Sequence, residues 1–277
     1  MVRAALLQLS ASDDPAANLV VTVDMVRQAA GQGAGLVVTP EVTNCVSQSR
    51  SHQVAVLQSE SDDITLAALQ AEAQTLGVWI LIGSLGLQSG DPDGRFANRS
   101  LMISPAGKIA ARYDKIHMFD VQVSEAESFS ESSGYRPGKQ AVVVDTDFAR
   151  IGMTICYDVR FPHLYRALAK AGAQIITVPS AFSPVTGQAH WHTLLRARAI
   201  ETGAFILAPA QTGDHAISIG KPRRTYGHSL AVSPWGEVLA DAESEPGISC
   251  IDLDLSHVSD ARRRLPVLLQ QQEFAAP

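Results

Sequence analysis

Short, continuous apolar runs alternate along this chain with segments whose apolar residues recur at helical spacing. Runs of this kind predict strands buried on both faces, and the spaced segments predict amphipathic helices. Strands are predicted at Val2–Leu9, Leu36–Thr39, Val78–Leu85, Val142–Asp145, Arg150–Ile155, Gln174–Val178 and Ala204–Ala208. Helices are predicted at Asn18–Ala30, Ile64–Leu76, Pro162–Ala171 and about Ala189–Glu201. The alternation of the two kinds of element predicts an α/β fold.

Two segments, Ser100–Gly107 and Ser229–Gly236, repeat the pattern S-L-x-x-S-P-x-G, and a short apolar run follows each of them. S-P-x-G favours a turn, so each segment predicts a hairpin. The repetition is either a coincidence between common turns or a sign that two sheets carry hairpins at similar positions. No Gly/Ser linker divides the chain. Residues 1–277 are therefore expected to form one domain, with two sheets face to face and the helices outside.

The composition predicts a soluble globular protein. Hydrophobic residues make up 46% and charged residues 18% of the 277 residues, which is enough apolar side chain for a large core. The net charge of −6 argues against a nucleic-acid partner, since such binders are usually basic. No apolar stretch approaches the roughly 20 residues of a membrane span, and the first apolar run is too short for a signal peptide. Three cysteines without C-x-x-C pairing fit neither a disulfide framework nor a structural zinc site, and they predict a reducing cytoplasm.

One cysteine, Cys156, lies where a predicted strand meets a predicted helix, in GMTICYDVRFP (residues 152–162). Free cysteines are often simply buried as small hydrophobic residues, and Cys45 and Cys250 keep that interpretation. At the start of a helix, however, a thiol meets the positive end of the helix dipole, which favours the thiolate. Backbone N–H groups from Tyr157 onwards are available to bind an oxyanion. Cys156 is therefore a candidate nucleophile.

A nucleophilic thiol needs a base, and the sequence offers two kinds. Any of eight histidines would give a Cys–His enzyme of the papain type, although the residues around Cys156 lack the C-G-S-C-W type of signature. The other candidate is Glu41, which follows a predicted strand as Cys156 does. Lys115 ends the second strand of the first predicted hairpin. Taken singly, a solvated Glu41 and a surface Lys115 are the ordinary interpretations; together, the three groups form a set suited to amide cleavage.

The chemistry of such a set is coherent. Burial is expected to raise the pKa of Glu41 towards that of a thiol, which would ease proton exchange between the two groups. Lys115 would stabilise the negative tetrahedral intermediate, and Glu41 would pass the proton to the leaving ammonia and then activate water. The reaction would proceed through a thioester, and it requires neither a metal ion nor an organic cofactor.

The segments PE (40–41), YDKIH (113–117) and ICYDVRFP (155–162) together resemble the nitrilase, or carbon–nitrogen hydrolase, superfamily. The resemblance extends over essentially the whole chain, with the motifs in the family's order and at its approximate spacing. It implies a four-layer α-β-β-α sandwich and a catalytic triad of Glu41, Lys115 and Cys156. It also implies a second catalytic glutamate, Glu131 in SFSES, and homodimers that pair through helices.

Two further segments, residues 179–203 and 226–242, are similar to amidases that act on 2-oxo dicarboxylic acid monoamides. The likeness is greatest to deaminated glutathione amidases, which release 2-oxoglutarate and cysteinylglycine. Omega-amidases, which cleave 2-oxoglutaramate and 2-oxosuccinamate, are the alternative. A catalytically silent member that captures a metabolite is another alternative, from a different functional class.

An acidic substrate needs a cation, and a planar guanidinium is well suited to a carboxylate. The resemblance assigns this role to Arg160, whose ordinary alternative is a structural pair at a helix start. It also implies that Tyr157, Phe182 and Thr186 contact the substrate. The basic segment Lys221–Arg224 would usually be a solvated patch, though it could border the pocket. The expected partner is a small amide that bears a carboxylate.

Overall fold

The computed structural model describes residues 1–123 and 128–270, together with residues 272 and 275. The strands are β1 (Val2–Gln8), β2 (Leu36–Val38), β3 (Trp79–Gln88), β4 (Phe96–Ile103), β5 (Ile109–Asp114), β6 (Asp120–Gln122), β7 (Ser128–Ser130), β8 (Tyr135–Arg136), β9 (Val142–Asp145), β10 (Arg150–Met153), β11 (Ile175–Thr177), β12 (Phe205–Ala208), β13 (Thr212–His215), β14 (Arg223–Tyr226), β15 (Leu230–Val232), β16 (Val238–Asp241) and β17 (Gly247–Leu253). The helices are α1 (Pro15–Gly31), α2 (Arg50–Val56), α3 (Ile64–Leu76), α4 (Pro162–Lys170), α5 (Pro184–Thr202) and α6 (Ser256–Arg264). A 3₁₀ turn over Cys156–Arg160 precedes α4.

Each predicted strand and helix is present, but two helices begin earlier than predicted. Helix α1 begins at Pro15 instead of Asn18, and α5 begins at Pro184 instead of about Ala189. Proline is tolerated in the first turn of a helix because the N–H that it lacks would have no partner there. Asp14 caps α1 by accepting two backbone N–H groups. The apolar spacing alone did not extend to these first turns.

Two sheets form the centre of the fold, and they share one topology. The first has the order β17-β1-β2-β3-β4-β5, with β8 also paired to β4, and the second has the order β16-β15-β12-β11-β10-β9. In the first sheet β1, β2 and β3 are parallel, and antiparallel strands flank them on both sides. In the second, β10, β11 and β12 are parallel and flanked in the same way. The parallel strands of each sheet are joined through helices, as parallel connections require.

The layers are helix, sheet, sheet, helix. Alternate residues of β1 separate the two sides: Leu6 packs in the core shared with the second sheet, while Leu7 packs in a core with α1 and α3. The second sheet packs its other face against α4 and α5, through residues such as Leu168 and Leu195. This arrangement confirms the predicted α-β-β-α sandwich. Among the described residues, no helix is long and apolar enough to cross a bilayer.

The two S-P-x-G segments form equivalent hairpins, one in each sheet. The first turn joins β4 to β5 and the second joins β15 to β16. In each turn the final glycine, Gly107 or Gly236, has a left-handed φ and donates its N–H to the serine carbonyl. The repetition therefore reflects two sheets of matching topology, as the second of the two interpretations held.

Candidate active site

Three distant segments bring a carboxylate, an ammonium and a thiol together. Glu41 follows β2, Lys115 directly follows β5, and Cys156 follows β10. The Nζ of Lys115 donates to Oε1 of Glu41 at 2.9 Å. The thiol of Cys156 lies beside the same carboxylate, close enough for each group to shift the pKa of the other. All three side chains are buried, so the ionic pair is shielded from water.

A second carboxylate shares the ammonium group. Glu131 accepts hydrogen bonds from Nζ of Lys115 at 2.9 Å and 2.8 Å, one to each oxygen. Asn98, in the middle of β4, donates Nδ2 to Oε1 of Glu41 at 2.9 Å and to Oε1 of Glu131 at 3.2 Å. The backbone N–H of Ala181 holds the other oxygen of Glu41 at 2.9 Å. The predicted acids thus lie on either side of one fixed cation.

The electrostatics of the site correct two expectations. Burial alone would raise the pKa of Glu41, but the charge and hydrogen bond of Lys115, together with the neighbouring Cys156 thiol, outweigh it and lower that pKa. The expected raised pKa for this glutamate is therefore wrong. Burial raises the pKa of the Cys156 thiol well above its usual value, and the negative charge of Glu41 raises it further, while Lys115 acts in the opposite direction. The expected helix-start thiolate is also wrong, because the thiol is neutral at rest.

Lys115 remains an ammonium. Its burial would lower its pKa, but the charges of Glu131 and Glu41 raise it well above its usual value. The resting site therefore consists of a neutral thiol beside a charged Glu41 carboxylate, which is hydrogen bonded to a charged ammonium.

The turn that carries the thiol has an unusual backbone. Cys156 has a φ of +48°, in the left-handed region that non-glycine residues rarely adopt. Its N–H donates to the carbonyl of Pro179 at 2.9 Å. The fully buried Asp158 accepts hydrogen bonds from the N–H of Ile155 at 2.9 Å and from the hydroxyl of Tyr113, in β5, at 2.6 Å. These contacts hold the strained turn in place beside the strand that leads to the lysine.

The histidine alternative does not fit this geometry. Among the described residues around the cavity, none is a histidine. His117, in the YDKIH segment, has its Nδ1 at 2.7 Å from Oδ1 of Asp158, and its ring stacks on Phe161. Since the thiol lies beside a carboxylate instead, the contacts argue against a papain-type dyad.

The three grouped side chains line a cavity of about 310 Å³. Tyr157, Phe182 and Thr186 line it as well. Arg160 is not among the described lining residues. Its guanidinium lies 5.4 Å from the ring centroid of Phe182 and 5.8 Å from that of Tyr157, and its Nη1 lies 3.2 Å from Nδ1 of His190. The structure thus brings three of the four expected substrate contacts to the cavity and places Arg160 beside two of them.

Two other arginines face the cavity. Arg223, in β14, lies in the basic segment singled out in the sequence and donates Nη2 to the carbonyl of Ala181 at 3.0 Å. Arg50, at the start of α2, donates Nη1 to the carbonyl of Gly134 at 3.0 Å and lies 3.8 Å from the ring centroid of Phe96. The cavity therefore has two arginines among its lining residues, and either is a candidate partner for an anionic ligand.

Sequence reasoning missed Arg50 and Asn98. The one available signal for Asn98 was a polar amide within the otherwise apolar strand FANRSLMI, at a position that turns out to be buried. Arg50 gave no such signal, since it lies in a polar segment. Cys45 also lines the cavity, where burial raises the pKa of its thiol to about 12, and it keeps the interpretation of a buried, inert cysteine.

Comparison with known proteins agrees with this architecture. The sequence profile of the carbon–nitrogen hydrolase family matches residues 3–263. The deaminated glutathione amidase of Yersinia enterocolitica is 39% identical over 273 residues, which cover 98% of this chain and 93% of that protein. The crystal structure of the C. elegans NitFhit protein superposes with a TM-score of 0.87 at 33% identity and covers 98% of this chain and 65% of that one. Nit3 of Saccharomyces cerevisiae, a member of branch 10 of the nitrilase superfamily, superposes with a TM-score of 0.84 at 28% identity, covering 99% of this chain and 97% of that one.

A family match over nearly the whole chain, a close relative of equal extent and a shared sandwich fold lead to one assignment. This chain belongs to the carbon–nitrogen hydrolase family of the nitrilase superfamily, and it is an enzyme that hydrolyses carbon–nitrogen bonds.

Proposed function

We propose that this hydrolase is a cysteine amidase in which Cys156 is the nucleophile, Glu41 the general base and acid, and Lys115 the stabilising cation. One observation carries the proposal: Glu41 accepts a hydrogen bond from the ammonium of Lys115, and the thiol of Cys156 lies beside the same carboxylate. A base must come within hydrogen-bonding reach of the proton that it removes, and Glu41 is the carboxylate next to this thiol.

In the first half of the reaction, Sγ of Cys156 attacks the amide carbon as its proton passes to Glu41. The carbon–oxygen π electrons move onto oxygen, and Lys115 and the backbone N–H of Tyr157 stabilise the negative charge that develops there. The tetrahedral intermediate then collapses, the carbon–nitrogen bond breaks, and the leaving nitrogen takes the proton from Glu41. The products of this half are a thioester on Cys156 and a free amine.

In the second half, Glu41 removes a proton from water, and the resulting hydroxide attacks the thioester carbon. Collapse of this intermediate breaks the carbon–sulfur bond, and the sulfur recovers the proton from Glu41. Glu131 fixes the ammonium of Lys115 from the other side throughout. No metal ion or organic cofactor takes part in these steps.

We propose deaminated glutathione as the substrate, with 2-oxoglutarate and cysteinylglycine as products. The name of the Yersinia relative supports this choice. So do the two guanidinium groups of Arg223 and Arg50, because deaminated glutathione carries one carboxylate on each side of the scissile amide. Tyr157, Phe182 and Thr186 form part of the cavity wall. The omega-amidase substrate 2-oxoglutaramate, which has one carboxylate, is the second candidate.

The mechanism is tested by Cys156→Ala and Glu41→Gln proteins. Each should lose roughly 10³-fold or more in kcat, as for other removed nucleophiles and bases. Cys250→Ala, which changes a half-buried cysteine away from the cavity, is the matched control and should keep full activity. Intact mass spectrometry of the unmodified chain should reveal a transient acyl adduct on Cys156. An active Cys156→Ala protein would end the proposal, and stoichiometric binding without turnover would favour the silent metabolite-binding alternative.

The substrate is tested by comparing kcat/KM for deaminated glutathione and 2-oxoglutaramate. We expect a preference of about 100-fold for the former, equivalent to about 2.7 kcal/mol of transition-state stabilisation from contacts to the cysteinylglycine part. A preference for 2-oxoglutaramate would change the substrate and leave the mechanism intact.

We further propose a homodimer in a reducing cytoplasm, with residues 1–277 acting as one domain. Exposed apolar side chains on α5, the second hairpin and the end of α6 support the dimer: Ile200 is 46% exposed, Trp235 41% and Leu265 49%. Light scattering of the wild type and a Trp235→Glu variant tests the dimer, since the variant should become monomeric.

The three free cysteines support the proposed reducing cytoplasm. A fluorescent fusion found outside the cytoplasm would contradict it.

A further inference from the structure

Two histidines and an aspartate converge on the surface of the second sheet. His192 lies on α5, His228 lies between β14 and β15, and Asp241 is the last residue of β16. Nε2 of His192 lies 2.8 Å from Oδ2 of Asp241, and Nδ1 of His228 lies 2.9 Å from Oδ1 and 3.2 Å from Oδ2 of the same carboxylate. One ligand atom from each residue lies within 4.8 Å of the other two. None of these residues lines the active-site cavity.

This geometry suits a transition-metal ion. Neutral imidazole nitrogen and carboxylate oxygen are common zinc ligands, at metal distances of about 2.0–2.2 Å. Tetrahedral ligands at those distances lie roughly 3.3 Å from one another, so the observed separations of 2.8 Å and 3.2 Å need only a slight opening. We propose that His192, His228 and Asp241 bind a divalent transition-metal ion such as Zn²⁺, with water as the remaining ligand.

The surroundings already orient the three groups. The other carboxylate oxygen of Asp241 accepts the backbone N–H of Glu243 at 2.9 Å. The carbonyl of His228 accepts Nε1–H of Trp191 at 2.8 Å, and the ring of His228 stacks on Tyr226 with centroids 4.5 Å apart. Such supporting contacts fix the direction of metal-ligating side chains.

The three groups are also open to solvent. Their side chains are 37%, 26% and 27% exposed, in the order His192, His228 and Asp241, which leaves a path for an ion and its water. Exposure at this level also allows the neutral rings to exchange tautomers, so that each can turn a lone pair instead of an N–H towards the metal.

The position of the site predicts a structural role. A bound ion would join α5 to the segments on either side of the second hairpin, and these elements support the wall of the cavity. Trp191, next to His192, packs on Phe182 with ring centroids 4.9 Å apart. The N–H of Tyr226 donates to the carbonyl of Phe182 at 3.0 Å. We therefore expect metal binding to raise the melting temperature of the protein.

The test uses untagged Cys156→Ala protein, because the active-site thiol would otherwise compete for the metal. Calorimetric titration with Zn²⁺ should give one equivalent per chain. His192→Gln and His228→Gln, each in the same background, should weaken binding at least tenfold. His257→Gln removes an exposed histidine on α6 instead and should bind as the Cys156→Ala protein does. Co²⁺ should give a visible absorption band without the near-ultraviolet thiolate band that Cys45 or Cys250 would produce.

Thermal unfolding gives a second readout that does not depend on activity. Zn²⁺ should raise the melting temperature of the Cys156→Ala and His257→Gln proteins and leave that of His192→Gln unchanged. The metal-free melting temperatures of the variants show whether each variant has folded. If one histidine variant does not fold, Asp241→Asn replaces it in the test. Absence of binding, a thiolate band, or an affinity in both histidine variants equal to that of the Cys156→Ala protein would overturn the proposal and leave the cluster as a pair of histidine–aspartate contacts.

Discussion

At the scale of single residues, the proposed chemistry depends on whether one proton is bound to Cys156 or to Glu41. Lys115 keeps Glu41 charged, and burial together with the charged Glu41 keeps Cys156 neutral. The thiol therefore retains its proton next to the base that must accept it. A substrate carbonyl near Lys115 would change the proton distribution between Cys156 and Glu41. The ammonium would then stabilise the negative charge that develops on the carbonyl oxygen, and it would stabilise the Glu41 carboxylate less.

Arg223, which lines the cavity, and Arg160, which is not among its described lining residues, lead to different predictions. Arg223→Gln should raise KM for deaminated glutathione about 10-fold or more, because a charge-assisted hydrogen bond contributes about 1.5–3 kcal/mol. Arg160→Gln is the matched control, because Arg160 lies against the ring of Phe182 and is not among the described lining residues. It should raise KM less. Steady-state kinetics with the anionic substrate and a neutral amide check this, since a general disturbance of Ala181 by the Arg223 change would slow both substrates equally. A larger effect at Arg160 would restore that residue as the carboxylate partner.

Residue types and their positions at predicted strand ends were enough to identify Glu41, Lys115 and Cys156 as candidate catalytic residues from the sequence. Their pKa directions were not predictable, because the balance between burial and charge depends on partners far away in the chain: Lys115, whose charge lowers the pKa of Glu41, is 74 positions from it. In the sequence, an arginine in a polar segment cannot be distinguished from an ordinary surface arginine. The fold places Arg50 at the cavity, and nothing in the local sequence indicated this position.

At the scale of elements, the close approach of three strand ends depends on one glycine. Gly83, in β3, lies against the loop that leads to Glu41 and against Pro179, whose carbonyl holds Cys156. A Cβ atom at this position would lie 1.9 Å from the carbonyl oxygen of Thr39 and 2.6 Å from Cβ of Pro179. Two of the neighbours are backbone atoms of the loop, so they cannot rotate away. The pattern of β3 predicted the strand but not this contact.

Gly83→Ala should therefore displace the Glu41 loop, lower activity strongly, and reduce the free energy of unfolding by about 1–3 kcal/mol or more, as overpacking does. Gly31→Ala is the matched control, since it ends α1 with no atom within 4 Å of the added Cβ, and its effect should stay below about 1 kcal/mol. Urea unfolding and kcat measure the two effects. Equal stability of the two variants would contradict this account of β3.

At the scale of the whole molecule, residues from the two ends of the chain share buried contacts. Strand β17 pairs with β1, and β13 lies near the end of β1. His215, in β13, donates Nδ1–H to the carbonyl of Ala11 at 2.6 Å and accepts the hydroxyl of Thr225 at its Nε2. The sandwich and its layers were predictable from hydrophobic pattern and family likeness. Such pairings across 204 positions were not, because local pattern carries no information about them.

Burial lowers the pKa of His215 from 6.5 to about 4. Between these values the unfolded chain binds a proton that the folded chain does not, so the free energy of unfolding should fall as the pH drops from 6.5 towards 4, by up to about 1.4 kcal/mol per pH unit from this group. Urea unfolding at pH 7 and pH 5 should show a smaller difference for His215→Asn than for the wild type. His257→Gln, which changes an exposed histidine, should keep the wild-type difference. An unchanged difference in the His215→Asn protein would refute the assignment.

The buried, neutral state of Cys156 affects how the enzyme resists oxidation and alkylation and how it can be inhibited. Peroxides and simple alkylating agents react with thiolates, so a thiol whose proton is retained should be attacked slowly even though it is the most reactive group of the catalytic cycle. Its nucleophilicity becomes available once a carbonyl occupies the cavity beside Lys115. An effective covalent inhibitor should therefore combine an electrophilic carbonyl with a carboxylate for the guanidinium groups, and a reagent lacking either should leave the enzyme unmodified.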